Sequence, residues 1–195
     1  MHGVALSEAS WARVLAAGVS LVWCPASNTF LFGRTISVRA FLDTSPDAWA
    51  HLCLASDSRI TGARDLLDEM RVALASDSVT PSEVLRMVTT AAARVLSLPA
   101  AGQIALGHPA DLLVIPPTRG TVAESLAVTR RADVRLVAIG GQPLIADRPF
   151  CGVFAARGVE VRPIVVDGID RLAAAALARD IARCPIHEPG VASVA

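Results

Sequence analysis

The sequence has 195 residues, 53% of them hydrophobic, and its 18 basic and 18 acidic residues cancel to a formal net charge of zero. This balance, without a run of either sign, excludes the basic footprint of a nucleic-acid-binding protein. Arg, Asp, Gly or Pro interrupts every apolar stretch before it reaches the ~18 residues of a membrane span, so no membrane partner is expected. All basic residues are arginine, which excludes lysine Schiff-base chemistry within these residues.

The first half of the chain alternates predicted strands and helices. Continuous apolar runs over 19–24 and 50–55 have the length of buried strands, and a loop is predicted over 26–33. The TPSE motif at 80–83 is a capping box with proline at the first helical position, and it predicts a helix to residue 96. Further helices are predicted over 8–17, 36–42 and 63–75. Buried strands separated by helices indicate a parallel sheet in an α/β fold.

The second half has a different pattern, with short strands separated by glycine and proline. These strands are predicted over 111–115, 134–139 and 159–166, with a hairpin turn at Gly140-Gly141. An alanine-rich segment predicts a helix over 169–183. We therefore expect three segments, which are an α/β part over 1–98, a β-rich part over 99–166, and a C-terminal helix and tail over 167–195.

The cysteines indicate a reducing compartment. Cys24, Cys53, Cys151 and Cys184 are far apart and form no CxxC motif, and the first two lie in apolar runs. This favours buried reduced thiols over a zinc or disulfide framework. With no secretory signal pattern at the start, we expect a cytoplasmic protein.

Asp57 stands at the end of the second apolar run. A short buried strand that ends in an acidic residue, before a glycine-bearing loop and a helix, is how α/β barrels present catalytic groups. Asp57 is therefore a candidate metal ligand and general base. The alternative is a carboxylate that caps a loop or helix.

Three further residues are weaker candidates. His2 can activate a catalytic water or bind a metal, unless it lies in a frayed terminus. Asn28 can position a substrate, although turn formation explains it equally well. Arg59 can bind an anionic or carbonyl-bearing substrate, although a solvated loop charge is the commoner reading.

The remaining polar residues receive no catalytic role. His51 opens its predicted strand at the end opposite Asp57, His108 lies in the segment from Gly107 to Asp111, and His187 lies in the tail. The spacing of Asp65, Asp68 and Glu69 predicts that they lie on an exposed helix face.

Seven segments taken in order resemble a known family. They are HG at 2–3, CPASN at 24–28, ASD at 55–57, LLDEMR at 66–71, TTAAARVL at 89–96, GQIALGHPADLLVI at 102–115 and VAIGGQPL at 137–144. Together they resemble the C-terminal part of the amidohydrolase superfamily, nearest its metal-dependent deaminase and chlorohydrolase-like branch.

The resemblance implies the C-terminal part of a TIM (β/α)8 barrel, strands six to eight, followed by part of a small β-sandwich domain. His2 would end strand six, Asn28 would follow strand seven and Asp57 would end strand eight. The implied reaction is metal-dependent hydrolysis of a C–N bond, by deamination or amide hydrolysis, in a small cyclic amine or amide. The implied metal is zinc or iron, with Asp57 and His2 as both ligands and catalytic groups.

The sequence also departs from the family pattern. The family's HxH after strand one and its histidine after strand five are absent from these residues, which contain four histidines and no HxH. Because a zinc site needs three or four ligands and at most two can be assigned here, we expect this truncated chain to be inactive alone, with an incomplete metal site.

Two alternatives to an enzyme stay open. The chain can be a non-catalytic remnant or a docking subunit that completes a partner's barrel, because unpaired strand edges favour association with a second copy or a complementing chain. It can also be an unrelated small α/β binding protein.

Overall fold

The computed structural model describes residues 2–76, 78–118 and 120–194. The chain divides into two compact units. The first, Met1–His108 with Arg119–Val128, is called the strand–helix unit. The second, Pro109–Thr118 with Thr129–Ala195, is called the sheet unit.

The described part of the strand–helix unit consists of helices around two short strands. The helices are α1 (Glu8–Ala16), α2 (Pro25–Phe32), α3 (Val38–Asp43), α4 (Leu66–Ala75), α5 (Pro81–Val88), α6 (Thr90–Val95) and α7 (Val122–Val128), with a 3-10 helix at Pro46–Ala50. The strands are β1 (Leu21–Trp23) and β2 (Leu52–Leu54).

The two strands form the centre of this unit. They pair in parallel, with Leu21 opposite Leu52 and Trp23 opposite Leu54, and all four of these side chains are buried. The predicted strands and their parallel pairing are thus confirmed, each strand being shorter than its apolar run. Burial of both strands explains why the runs are apolar throughout rather than alternating.

The helix predicted up to residue 96 is interrupted. The capping box is confirmed, with the Thr80 side chain on the Glu83 N–H and the Glu83 side chain on the Thr80 N–H. However, α5 ends at Val88 and α6 begins at Thr90, because Thr89 has φ −123° and ψ −98°. The Thr89 hydroxyl donates to the Leu85 carbonyl at 2.6 Å, and such back-bonding bends helices.

The loop predicted over 26–33 is wrong, because residues 26–32 lie in α2. Pro25 occupies the first turn, where its missing N–H costs nothing, and Gly33 ends the helix with φ 65°. The N-cap residue Cys24 provides no side-chain cap. Instead the distant Glu69 carboxylate accepts the Ala26 N–H, so the capping signal is absent from the local sequence.

The sheet unit contains six antiparallel strands in the order β3-β4-β5-β7-β6-β8. The strands are β3 (Leu112–Val114), β4 (Leu136–Ile139), β5 (Gln142–Ala146), β6 (Val161–Val166), β7 (Ile169–Ala174) and β8 (Val191–Ser193). The helices are α8 (Cys151–Ala156) and α9 (Ala175–Arg183), with 3-10 turns at Arg131–Asp133 and Arg148–Phe150. Phe154 of α8 and Ala178 of α9 belong to two separate apolar clusters.

The first part of the helix predicted over 169–183 is wrong. Ile169–Ala174 is strand β7, and the helix begins at Ala175. Asp167 and Gly168 both have positive φ, at 49° and 81°, and form a two-residue turn that places Ile169 opposite Val166. This turn type selects Asp-Gly and begins a hairpin, which overrides the helical propensity of the alanines. The hairpin predicted at Gly140-Gly141 is confirmed.

No helix among the described residues is long and apolar enough to cross a membrane.

Candidate active site

Three chain segments meet at the carboxyl end of β1. The Trp23 carbonyl accepts the Ala55 N–H of the segment that follows β2, at 2.9 Å. The Val22 carbonyl accepts the His2 N–H at 3.0 Å. Because successive carbonyls of a strand point to opposite edges, His2 lies along the edge of β1 that faces away from β2. The start of α2 lies between His2 and the loop that contains Asp57.

His2 and Asp57 approach each other across this end of the sheet. His2 Nε2 is 3.6 Å from Asp57 Oδ2, and their side chains are 23% and 20% exposed. The Ser27 hydroxyl donates to the same Asp57 oxygen at 2.6 Å, and Thr61 Oγ1 lies 3.1 Å from Ser27 Oγ. The carboxylate is therefore fixed by a hydroxyl group and still reachable from solvent.

Asn28 fixes the imidazole of His2. Its Oδ1 is 2.7 Å from His2 Nδ1, and its Nδ2 donates to Thr35 Oγ1 at 3.0 Å. A carbonyl oxygen only accepts, so His2 Nδ1 is the protonated nitrogen and Nε2 keeps a lone pair in the neutral ring. The lone pair of Nε2 is thus available for a ligand beside Asp57.

Backbone strain coincides with this pair. His2 has φ 65° and Asp57 has φ 56°, in the left-handed region that non-glycine residues rarely adopt. Such strain persists only where the surrounding structure holds it, and it clusters at functional sites.

A second carboxylate lies nearby on α4. Glu69 is fully buried, and its two oxygens accept the N–H groups of Ala26 and Ala63 at 2.9 Å and 3.1 Å. Burial raises the pKa of Glu69, the two N–H groups oppose this effect, and the charge of Asp57 adds to the rise. Glu69 was expected on an exposed helix face, and this expectation is wrong.

The neighbouring thiol of Cys24 stays protonated. Burial raises the pKa of Cys24 to about 12, and the charges of Asp57 and Glu69 add to the rise. Since the thiolate is the reactive form, the raised pKa argues against Cys24 as a nucleophile near neutral pH. Cys24 and Cys53 are buried free thiols, as the sequence predicts.

The pair has the spacing of two metal ligands. In a tetrahedral zinc site, nitrogen and oxygen ligands at about 2.0–2.2 Å from the metal lie about 3.4 Å apart, close to the separation between His2 Nε2 and Asp57 Oδ2. Within residues 2–76, 78–118 and 120–194, no group of three or more His, Cys, Asp or Glu side chains is placed to hold a metal ion. The residues present thus fit half of a zinc site.

A recess of about 660 Å³ adjoins His2. It is lined by His2, Gly3, Val4, Ala5, Leu6, Phe32 and Arg34. The His2 and Phe32 rings meet edge to face, with centroids 6.2 Å apart. The recess therefore presents an aromatic wall beside the imidazole.

The structure brings together three of the four predicted residues, His2, Asp57 and Asn28. Arg59 lies exposed in the loop after Asp57, and its role in substrate binding stays a prediction. The roles of Ser27 and Glu69 in this site were not predicted from the sequence. Ser27 had a signal, since it adjoins Asn28 directly after the predicted strand, whereas the partners of Glu69 are distant in sequence.

Known proteins are similar to the part of the chain that contains these residues. Residues 1–144 match the amidohydrolase family. The chain is 29% identical over 162 residues to a 5-methylthioadenosine/S-adenosylhomocysteine deaminase of Pyrococcus abyssi, covering 75% of this chain and 37% of the relative. For the protein of the same description from Haloquadratum walsbyi, the identity is 31% over 163 residues, covering 75% and 36%. The chain spans less than two-fifths of the length of these curated relatives.

Solved structures give a similar picture. An adenosine deaminase from Xanthomonas campestris with bound zinc superposes with a TM-score of 0.63 at 25% identity, covering 80% of this chain and 39% of that protein. The atrazine chlorohydrolase of Arthrobacter aurescens, complexed with zinc, superposes with a TM-score of 0.63 at 22% identity, covering 79% and 39%. The second likeness shows a shared fold.

Proposed function

Because this chain belongs to the amidohydrolase family, we propose that His2 and Asp57 form part of a site for metal-dependent hydrolysis of a non-peptide carbon–nitrogen bond. The observation that carries the proposal is the 3.6 Å approach of His2 Nε2 to Asp57 Oδ2. The bound zinc of the adenosine deaminase relative favours zinc as the metal.

Each side chain then has a defined part. Zinc in such a site acts as a Lewis acid and lowers the pKa of water. Asp57, oriented by the Ser27 hydroxyl, accepts a proton from the attacking water and returns it to the leaving amine. His2 presents the lone pair of Nε2, because Asn28 holds the proton on Nδ1.

The recess beside His2 suits a small cyclic substrate. Its volume of about 660 Å³ lies within the range of roughly 300–1,000 Å³ that is usual for small-molecule sites. The deaminase relatives favour cleavage of the bond between a ring carbon and its amino group. Arg59 is proposed to contact the substrate from its loop, and Asn28 to act through His2.

These residues supply two of the three or four ligands that a zinc site needs. We therefore propose that this polypeptide alone does not turn over substrate and that further ligands come from other residues or another chain. In the same proposal, 1–98 is a partial barrel with strands six to eight and 99–166 is a portion of a β-sandwich, whose sheet continues through β7 and β8 into 167–195.

Equilibrium dialysis against zinc tests the proposal. Because this pair supplies only two ligands, we expect weak zinc binding by the wild-type chain, and at least tenfold weaker binding by the Asp57→Asn and His2→Gln variants. Asp170→Asn is the matched control, because its carboxylate is 72% exposed and belongs to the other unit. Equal affinity in the wild type and Asp57→Asn would contradict the proposal.

A parallel assay for ammonia release from adenosine separates activity from metal binding. No turnover is expected from the chain alone. Zinc-dependent turnover that Asp57→Asn abolishes would overturn only the predicted inactivity. A discrete assembly of this chain that binds no zinc would instead favour the alternative that the chain is a docking subunit completing a partner's barrel.

A further inference from the structure

We propose that Glu69 is a positioning residue that holds the loop of Asp57 in register with the first turn of α2, an inference that rests on the function proposed above. Glu69 lies on α4 and, within the described part of the chain, forms no hydrogen bond with His2 or Asp57. It acts through two backbone N–H groups.

The two bonds join the segments that follow the two strands. Oε1 accepts the N–H of Ala26, the residue before Ser27 in α2. Oε2 accepts the N–H of Ala63, at the end of the loop that contains Asp57. One buried carboxylate thus connects the helix that orients Asp57 with the loop that carries it.

The loop transmits this constraint to Asp57 because it is bonded to itself. The Gly62 N–H donates to the Ser58 carbonyl at 2.6 Å, and the Ile60 N–H donates to the Ser58 hydroxyl at 3.2 Å. A Cβ added at Gly62 would lie 1.9 Å from the Ser56 carbonyl oxygen, so the loop is closed on itself there. Moving Ala63 therefore moves the whole loop.

The contact that depends on this register is short. Ser27 Oγ and Asp57 Oδ2 are 2.6 Å apart, so a displacement of about 1 Å between helix and loop takes the pair beyond hydrogen-bond distance. Losing this bond frees the Asp57 carboxylate to rotate away from His2. Precise placement of such a group requires support from residues around it.

A carboxylate suits this task better than a neutral side chain. Both of its oxygens accept, so it can bond two N–H donors from different segments at once. Bonds to a charged acceptor are stronger than neutral ones, and they offset the cost of burying Glu69. The amide of glutamine has one acceptor oxygen and would turn its NH2 group toward the second N–H donor.

The experiment compares Glu69→Gln with Glu83→Gln by NMR. Glu83 also accepts a backbone N–H, that of Thr80, but it lies in α5, so it controls for the loss of a helix-stabilising carboxylate. The readouts are amide hydrogen exchange at Ala26, Ala63 and Ala55, and the nuclear Overhauser contact between the His2 ring and the Asp57 side chain.

In Glu69→Gln we expect exchange at Ala26 or Ala63 to accelerate at least tenfold relative to Ala55, together with a weaker His2–Asp57 contact. Glu83→Gln should leave that contact intact. Faster exchange with an unchanged His2–Asp57 contact would overturn the inference and make Glu69 a purely structural tether. None of these readouts uses zinc, so failure of zinc binding is a separate result.

Ala63→Pro is the second variant if Glu69→Gln does not fold. It removes one N–H donor and leaves the buried carboxylate in place. The same weakening of the His2–Asp57 contact is expected, and an unchanged contact would again contradict the positioning role.

Discussion

Each of the two units contains a pair of carboxylates, and the two pairs are held in different ways. In the sheet unit, Asp167 accepts two bonds from the Arg131 guanidinium, at 2.5 Å and 2.9 Å, and Asp147 pairs with Arg135 and Arg171. In the strand–helix unit, Asp57 accepts the Ser27 hydroxyl and Glu69 accepts two backbone N–H groups. Among the described residues, neither forms an ion pair with an arginine.

This difference distinguishes carboxylates that are neutralised by arginine within the fold from carboxylates that can still interact with a ligand. The hydrogen bonds that Arg131 donates to Asp167, with a further one to Glu188, raise its pKa above the ordinary value, so this pair is satisfied within the fold. At the strand ends, burial raises the pKa of Glu69, two backbone N–H groups oppose this rise, and the charge of Asp57 adds to it. Under the proposed function, the Asp57 carboxylate is available to a cation, because its described partners are the Ser27 hydroxyl and His2.

The largest effect on stability is expected where the Asp57 loop closes. Gly62→Ala should lower the free energy of unfolding by about 3 kcal/mol, because its Cβ would meet a backbone oxygen that cannot move aside. Gly18→Ala is the control, since Gly18 has φ 68° and open space around it, and it should cost about 1 kcal/mol. Urea unfolding measures both, and equal losses would show that the loop is pliable.

The next effect concerns the sheet unit. Arg131→Ala should cost about 2 kcal/mol, because it removes two charged hydrogen bonds to Asp167 where both side chains are about 20% exposed. Arg148→Ala should cost nothing measurable, because its pair with Asp170 is 4.0 Å long and solvent-exposed. If both variants were equally stable, the arginine-paired carboxylates would not be structural.

Asp57→Asn should change stability by less than about 1 kcal/mol, because asparagine still accepts the Ser27 hydroxyl and no longer repels Glu69. Thermal unfolding of this variant beside Arg131→Ala measures the difference between the two regions. A loss in Asp57→Asn as large as that in Arg131→Ala would make Asp57 a structural carboxylate.

The smallest effect is a pH dependence. Burial opposes the ionisation of Glu83, but the Thr80 N–H and Arg39 outweigh it and lower the pKa of Glu83 below its ordinary value of 4.5. Its contribution to stability is therefore present above that value and is lost as the pH falls. For Glu69 the raised pKa gives the opposite sign, so its contribution falls as the pH rises through its titration.

Thermal unfolding across the acid range tests the direction of the pH dependence assigned to Glu83. Glu83→Gln should weaken the loss of stability toward low pH relative to the wild type. A steeper acid loss in this variant would contradict the assigned direction.

Local chemistry made some of these features predictable. The TPSE capping box and the strand that precedes Asp57 could be identified from adjacent residues, because their bonds form within a few positions. The resemblance to a family identified His2 as the partner of Asp57. These predictions needed no knowledge of distant contacts.

Long-range contacts explain the errors. Helix α2 is capped by Glu69, 43 residues away from Ala26, so its sequence resembles a loop. Glu69 itself fits an exposed helix pattern until the two segments that bury it are in place. In β7, the hairpin with β6 overrides the helix propensity of its alanines.

Anomalous diffraction at the zinc edge, from crystals of the chain grown with zinc, tests the central claim most directly. We predict a peak about 2.0–2.2 Å from both His2 Nε2 and Asp57 Oδ2. A map without a peak at this pair, with the two side chains still in place, would contradict the assignment of His2 and Asp57 as metal ligands.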